Sequence, residues 1–246
     1  MAQTPAGGRP IVAWAHPTSG IEPRCGTSLA TFRFEQIMGL RDMIRRGYIV
    51  TATDYPGLGA GGPHPYLVGV SEGRAVLDSV RAAQNLTHEQ GVDVALWGHS
   101  QGGQAVLYAG LLAASYAPEL RLAGVAAAAP ATELGPLMRD DESSPGGKDL
   151  LAMTLWSWSR VYGAPARQGG RSRGAARHRQ ARQPLPGISD RPSAEEESIG
   201  GARAALSQHD RSDVDRALAL APCRKHHRRA AAEPADLPGS GPTPTR

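Results

Sequence analysis

The 246-residue sequence predicts an α/β fold in which a parallel sheet is flanked by helices. Three short apolar runs, at 11–16, 48–54 and 92–98, are rich in β-branched residues or alanine and predict buried strands. A fourth run at 122–130 is weaker because alanine is a poor strand former. Helical patterns lie between these runs. Strands that alternate with helices and are apolar throughout are typical of a parallel sheet covered on both faces.

The helical patterns are recognised by their periodicity. Residues 71–87 carry apolar or small side chains at the i, i+3, i+4, i+7 spacing of one buried face. Residues 102–116 are almost entirely apolar, as expected for a helix packed on the centre of a sheet. Residues 148–163 form another apolar helical pattern with Trp156 and Trp158 near its end. This last pattern fits either a cap over a cleft or a helix of the outer layer.

Composition divides the chain near residue 165. No aromatic residue follows Tyr162. Residues 1–165 carry 12 Lys/Arg against 14 Asp/Glu, a net charge of −2, whereas residues 166–246 carry 15 against 9, a net charge of +6. The second segment is rich in Arg, Ala, Gly and Pro and has too few large apolar residues to offset the entropy of ordering it. We therefore expect a folded core at 1–165, with a candidate cap helix at 148–163, and a largely disordered tail at 166–246.

The stretch "DVALWGHSQGGQAV" at 93–106 carries the chemistry. Its Gly98-His99-Ser100-Gln101-Gly102 segment fits Gly-x-Ser-x-Gly, a sharp strand-to-helix turn that lifts a nucleophilic serine out of a sheet. Here the motif follows a predicted strand and opens a predicted helix, which is the context that the turn requires. We therefore interpret Ser100 as a nucleophile. The backbone N–H of Gln101 would then face the oxyanion of a tetrahedral intermediate.

A second oxyanion donor is expected from the loop that follows an earlier, neighbouring strand. The segment "IVAWAHPTSG" supplies such a loop at 16–20. Thr18 or Ser19 could donate through a backbone N–H or a hydroxyl. The same residues could also form an ordinary turn.

Four blocks of sequence occur in order at plausible spacing: "WAHPTSGIEPRCGTS", "TATDYPGLGAGGPHPYLVGVSEGRAVLDSVRAAQ", "GHSQGGQAVLYAG" and "SYAPELRLAGVAAAAPATEL". Over residues 10–165 they resemble the secretory lipase family, α/β-hydrolases that include fungal lipase A and bacterial relatives. The resemblance implies a partial α/β-hydrolase fold and a serine hydrolase that acts on lipid esters and is usually exported. It also implies that Ser100 is the nucleophile, that Gln101 and the loop around Thr18 form the oxyanion site, and that Cys25 is half of a disulfide.

The triad acid and histidine are not evident. In hydrolases of this kind they follow the nucleophile in the chain, and nothing beyond residue 165 resembles the strands that would carry them. A histidine at position 16, 88 or 99 is expected to be structural or solvated, and His64 could line the cleft. Asp54 is the best cleft carboxylate, although a cap of its own turn "DYPGLG" is the favoured role. The abrupt change in composition leads us to expect a frameshift near 164–168.

We therefore expect a lipase or carboxylesterase of triacylglycerol lipase type, with a role in lipid degradation, that cleaves fatty-acyl esters through an acyl-Ser100 intermediate. No cofactor or metal is needed, and little turnover is expected without a base and an acid. The alternatives are an esterase or acyl-peptide hydrolase on the same scaffold, or a non-catalytic basic protein whose tail binds anionic surfaces. We expect no specific nucleic-acid partner, and the oligomeric state stays open.

The sequence leaves the cellular compartment open. No stretch is long and apolar enough to span a membrane. The first ten residues, "MAQTPAGGRP", lack the apolar region of a secretory signal, so the chain as written would stay in the cytoplasm. The two cysteines, Cys25 and Cys223, allow one bridge at most, and a bridge into the tail is not expected.

Overall fold

The computed structural model describes residues 8–141 and 143–163. Within these ranges four strands form one parallel sheet: β1 (Ile11–Ala15), β2 (Ile49–Ala52), β3 (Asp93–His99) and β4 (Arg121–Ala128). Their order across the sheet is β2-β1-β3-β4, so β1 and β3 are the two inner strands. Ala15 pairs with Gly98, which brings the carboxyl ends of the inner strands side by side. The predicted strands and their parallel arrangement are confirmed.

Five α-helices accompany the strands in the described part of the chain: α1 (Leu40–Arg45), α2 (Gly69–Thr87), α3 (Gln101–Tyr116), α4 (Leu134–Asp141) and α5 (Pro145–Val161). Three of them, α2, α3 and α5, were predicted, and their observed bounds differ from the predicted ones by at most three residues. The short helices α1 and α4 were not predicted, because neither is long enough to show a periodic apolar face.

The core lies between the sheet and the pair α2 and α3. Helix α2 packs on β1 and β2, α3 packs on β1, β3 and β4, and the two helices pack against each other. All five residues of β1 are buried. Burial of each large aliphatic side chain in this core contributes about 1.5–3 kcal/mol. The core includes Ile11, Leu77, Val80, Val94, Leu96, Ala105 and Val106.

Strand β4 departs from the expectation that the sheet is covered on both faces. Most of its residues are exposed, including Val125 at 38%. Within the described residues β4 is an edge strand that pairs with β3 alone, and its sequence RLAGVAAA offers little side-chain area for packing. Among the described residues, β1 is therefore covered on both faces and β4 is not.

Helix α5 packs against α4 and against the segment that precedes α2. The Ser144 side chain caps it by accepting a hydrogen bond from the Gly147 N–H at 2.9 Å, and Pro145 occupies its first turn. Its buried residue Trp158 contacts Val68. The helix thus lies beside a loop rather than on the sheet, and its role as a cap over a cleft stays a prediction.

Asp54 follows β2, and its carboxylate is hydrogen-bonded to a turn in the segment between β1 and α1. Its carboxylate accepts hydrogen bonds from the Thr27 hydroxyl at 2.9 Å, the Ser28 N–H at 3.1 Å and the Ser28 hydroxyl at 2.5 Å. The expectation that Asp54 caps its own turn is therefore wrong, because the donors belong to the short 3₁₀ turn Thr27–Leu29. Nearby, Cys25 is buried and disulfide-bonded, as the family resemblance implied.

Several predictions fall on residues that the structure does not describe. The tail at 166–246, the frameshift near 164–168 and Cys223 all lie outside the described ranges. The expectation against a bridge between Cys25 and Cys223 is wrong, because Cys25 is disulfide-bonded and the chain has two cysteines. Among the helices that the structure does describe, none has the length and apolar character needed to cross a bilayer.

Candidate active site

Ser100 sits at the sharp turn between β3 and α3. Its backbone has φ 57° and ψ −118°, a strained conformation for a residue other than glycine. The turn is held on both sides, since the Ser100 N–H donates to the Ala128 carbonyl at 3.0 Å and the Ser100 carbonyl accepts from the Ala131 N–H at 3.2 Å. The strand-turn-helix context predicted for this motif is present.

The glycines around Ser100 are required by close backbone approach. A Cβ at Gly98 would collide with the Gly102 carbonyl, and a Cβ at Gly102 would collide with the Ala15 carbonyl at the end of β1. A Cβ at Gly103 would lie 2.9 Å from the Pro130 Cα. The start of α3 is therefore pressed against the loop that follows β1.

The predicted oxyanion residues lie on the two sides of this contact. Gln101 is the first residue of α3, and its backbone N–H forms no hydrogen bond to another described residue. Thr18 is buried in the loop after β1, and its hydroxyl is hydrogen-bonded to the Tyr66 hydroxyl at 2.8 Å. The structure thus brings the Gln101 backbone and the loop of Thr18 to the same edge of the sheet. The Thr18 hydroxyl is already engaged, which leaves its backbone as the group that could face a substrate.

A buried polar network lies behind the turn. The Gln101 side-chain amide donates to the Glu72 carboxyl at 2.6 Å and to His64 Nε2 at 3.0 Å. The same Glu72 oxygen accepts from the Leu67 N–H at 3.0 Å. His64 Nδ1 donates to the Pro56 carbonyl at 2.9 Å, so its Nε2 is free to accept. The side chains of His64 and Glu72 are both 0% exposed.

A comparison with protein-family models identifies the chain. The model of the secretory lipases matches residues 25–150, half of the sequence. This chain belongs to the secretory lipase family.

Curated relatives of this chain include lipase A of Moesziomyces aphidis, which is 39% identical over 82 residues. A secreted triacylglycerol lipase of Malassezia furfur is 40% identical over 85 residues. These matches cover 33% of this chain and only 15–17% of the two relatives, so the chain spans less than a fifth of their length. A Mycobacterium tuberculosis protein named as a probable inactive lipase is 27% identical over 142 residues, 53% of this chain and 31% of that protein.

Solved structures give the same fold. The closed state of Candida antarctica lipase A superposes with a TM-score of 0.56 at 23% identity, over 65% of this chain and 39% of that one. A candidate hydrolase of Legionella pneumophila superposes with a TM-score of 0.54 at 19% identity, over 89% of this chain and 54% of that one. The chain thus has the partial α/β-hydrolase fold that its sequence predicts.

Burial sets the protonation of the polar network behind Ser100. Burial raises the pKa of Glu72 to about 8, against the opposing effect of the hydrogen bonds from Gln101 and Leu67. Burial lowers the pKa of His64 to about 4, although its bond to the Pro56 carbonyl acts the other way. His64 and Glu72 approach to 3.9 Å, but these shifts leave both neutral at pH 7, so they do not form an ion pair.

No side-chain hydrogen bond joins Ser100 to another residue in the described ranges. His64 does not line a cleft, because it is fully buried and both ring nitrogens have partners. His16 is 2% exposed and bonds through Nδ1 to the Pro17 carbonyl, which fits the expected structural role. His88 directly follows α2 as its C-cap residue and is exposed. The side-chain role expected for His99 stays a prediction.

The sequence reasoning missed Glu72 and Tyr66. Glu72 occupies the buried face of α2, one turn before Val76, and an acidic residue at such a position is the signal that could have found it. Acids on a core-facing stripe are rare unless they have partners. Tyr66 gave no signal of its own, because its hydroxyl finds Thr18 only after the chain has folded.

Proposed function

We propose that this chain is a serine hydrolase of lipase or carboxylesterase type in which Ser100 forms an acyl-enzyme. The Ser100 hydroxyl oxygen attacks the carbonyl carbon of an ester, and collapse of the tetrahedral intermediate releases the alcohol, which takes up the proton. Water then attacks the acyl-serine, releases the carboxylic acid and restores the hydroxyl. The observation that supports this most directly is the strained φ of 57° at Ser100 beside the first residue of α3.

The oxyanion would be held from two sides. The Gln101 N–H has no other hydrogen-bond partner among the described residues, and it begins a 16-residue helix whose dipole favours negative charge at that end. The backbone of the Thr18 loop would supply the second donor. Loss of one such donor typically lowers kcat by roughly 10²–10³-fold.

The described residues do not provide the general base or the acid of a catalytic triad. A base must come within hydrogen-bonding distance of the Ser100 hydroxyl, and His64 is committed to Pro56 and Gln101. Among the described residues we therefore assign no base to Ser100. With the base absent from the site, only a residual acceleration of roughly 10³-fold over water would remain from the oxyanion site and binding.

Fatty-acyl esters are the proposed substrates, because the relatives named as lipases include a secreted triacylglycerol lipase. An esterase on the same scaffold would prefer short acyl chains. Comparing p-nitrophenyl butyrate with p-nitrophenyl palmitate separates the two, since a lipase retains activity on the long chain. Cleavage of the butyrate ester alone would contradict the lipase assignment and favour the esterase alternative.

The nucleophile is tested with the full chain and a p-nitrophenyl alkylphosphonate. With imidazole added in place of the missing base, we expect one phosphonyl adduct, located on Ser100 by peptide mass spectrometry, and no adduct in Ser100→Ala. Ser115→Ala is the matched control, because Ser115 lies near the end of α3, the helix that follows Ser100, and its exposed hydroxyl donates to the Leu112 carbonyl. Labelling of Ser100→Ala at the wild-type rate would refute the proposal.

Added imidazole tests the missing base. If the nucleophile and oxyanion site are intact and only the base is absent, imidazole should accelerate butyrate hydrolysis more in the wild-type chain than in Ser100→Ala. An equal acceleration in both would show that imidazole acts on the ester in solution, and would contradict a competent Ser100.

A further inference from the structure

The two proposed oxyanion elements are tied to one short buried segment. We call His64, Tyr66 and Leu67, together with Glu72, the 64–72 bracket. The Tyr66 hydroxyl meets the Thr18 hydroxyl at 2.8 Å, which holds the loop after β1. His64 and Glu72 both accept from the Gln101 side chain, which holds the start of α3.

We propose that Glu72 and Tyr66 are positioning residues that fix the Gln101 N–H and the Thr18 loop relative to each other for oxyanion stabilisation. This inference rests on the proposed function of Ser100. Neither side chain would touch the substrate, since both are at most 2% exposed. Their effect would pass through the residues they bond, one on each side of the reacting carbonyl.

Glu72 is the common point of the bracket. One of its oxygens accepts both from the Leu67 N–H and from the Gln101 amide. Leu67 has φ 56°, which a residue other than glycine keeps only when its surroundings hold it there. Without this acceptor the Leu67 N–H and the Gln101 amide each lose a buried partner, and the segment can relax toward an unstrained backbone.

Helix α5 fixes the other side of the bracket. The Ser157 hydroxyl donates to the His64 carbonyl at 2.7 Å and accepts from the Tyr66 N–H at 2.8 Å. The Trp158 indole N–H donates to the Tyr66 carbonyl at 3.0 Å. The backbone at 64–66 is therefore held rigidly while its side chains reach the oxyanion elements. Rigid support of this kind is what accurate placement of catalytic donors requires.

The test compares phosphonylation of Ser100 in matched variants of the full chain, with imidazole added to all samples in place of the missing base. Glu72→Met removes the acceptor at similar volume, Glu72→Gln keeps an acceptor oxygen, and Tyr66→Phe removes only the hydroxyl that meets Thr18. Val80→Ala is the control, because it creates a cavity in the core two turns beyond Glu72 on the same helix. The rate at saturating phosphonate and the half-saturation concentration are measured separately.

We expect Glu72→Met and Tyr66→Phe to lower the saturated rate about tenfold, because displaced donors stabilise the transition state poorly. The half-saturation concentration should stay within about twofold, since ground-state binding is not altered. Glu72→Gln should recover most of the rate. Val80→Ala should unfold at lower denaturant yet label at the wild-type rate while folded.

Two results would overturn the inference in different ways. If the wild-type chain labels at Ser100 and both Glu72→Met and Tyr66→Phe label equally fast, the bracket does not position the donors, although Ser100 remains the nucleophile. If the wild-type chain does not label at Ser100, the proposed function fails and the inference fails with it. Should Glu72→Met not fold, Tyr66→Phe decides alone, because it retains every buried apolar atom.

Discussion

Substituting Glu72 by glutamine tests whether the buried carboxyl keeps its proton in the folded chain. Its pKa is about 8 in the fold against an ordinary value of 4.5. Between these values the folded chain holds a proton that the unfolded chain has released, so stability falls as the pH rises. His64 shifts the opposite way, from 6.5 to about 4, so its contribution is lost as the pH falls below 6.5.

The pKa shifts of Glu72 and His64 affect the stability over different parts of the pH range. Each shifted proton changes the free energy of unfolding by about 1.4 kcal/mol per pH unit. Between pH 4.5 and pH 6.5 the two slopes oppose each other, and the wild-type stability should be nearly constant. From pH 6.5 to pH 8 only the Glu72 slope remains, and the chain should lose about 2 kcal/mol.

Urea unfolding followed by tryptophan fluorescence at pH 4.5, 6.5 and 8 measures the change in stability over both pH intervals. In Glu72→Gln the loss above pH 6.5 should disappear, and the His64 slope should be uncovered as a loss of about 3 kcal/mol between pH 6.5 and pH 4.5. Glu35→Gln, which removes an exposed acid, is the control and should follow the wild type. A Glu72→Gln profile parallel to the wild-type profile would refute the argument that Glu72 is protonated by burial.

Two further substitutions test the packing behind Ser100 by urea unfolding. Gly102→Ala should destabilise the chain by about 3 kcal/mol, because the new Cβ would collide with the backbone at Ala15. Gly124→Ala is its control and should be neutral or stabilising, because the space around Gly124 is open. Equal losses in the two variants would contradict the close approach of Gly102 to Ala15. Ser157→Ala should cost about 1–3 kcal/mol by removing the hydroxyl that bridges Tyr66 and His64. Ser79→Ala, which loses only a bond within its own helix, should cost less, and the reverse order would contradict the tie between α5 and the bracket.

The fold could be predicted because its signals are local. The apolar runs at 11–16, 48–54 and 92–98 each became a strand, since a buried parallel strand needs only a short continuous apolar segment. The weaker run at 122–130 also became a strand. Its exposure could not be foreseen, because edge position depends on the order of the strands and not on the composition of any one of them.

The site was only half predictable for a similar reason. Ser100 and Gln101 stand out because a strained turn imposes glycines at fixed offsets, and Gly98 and Gly102 carry that requirement in the sequence. Glu72 lies 29 positions before Gln101, and nothing local links the two. Long-range polar pairs of this kind are created by the packing of α2 on α3. The assignment of Asp54 to the wrong turn has the same origin.

The backbone at Ser100 also bears on how such a chain can evolve. A positive φ costs a serine on the order of 1–3 kcal/mol, and glycine would avoid most of that cost. Ser100→Gly should therefore be more resistant to urea than Ser100→Ala, which keeps the same φ of 57°. Selection for a durable fold would drive this position toward glycine, so a serine is retained there only while its hydroxyl is useful. A lineage that had lost its chemistry would be free to drift to the more robust residue.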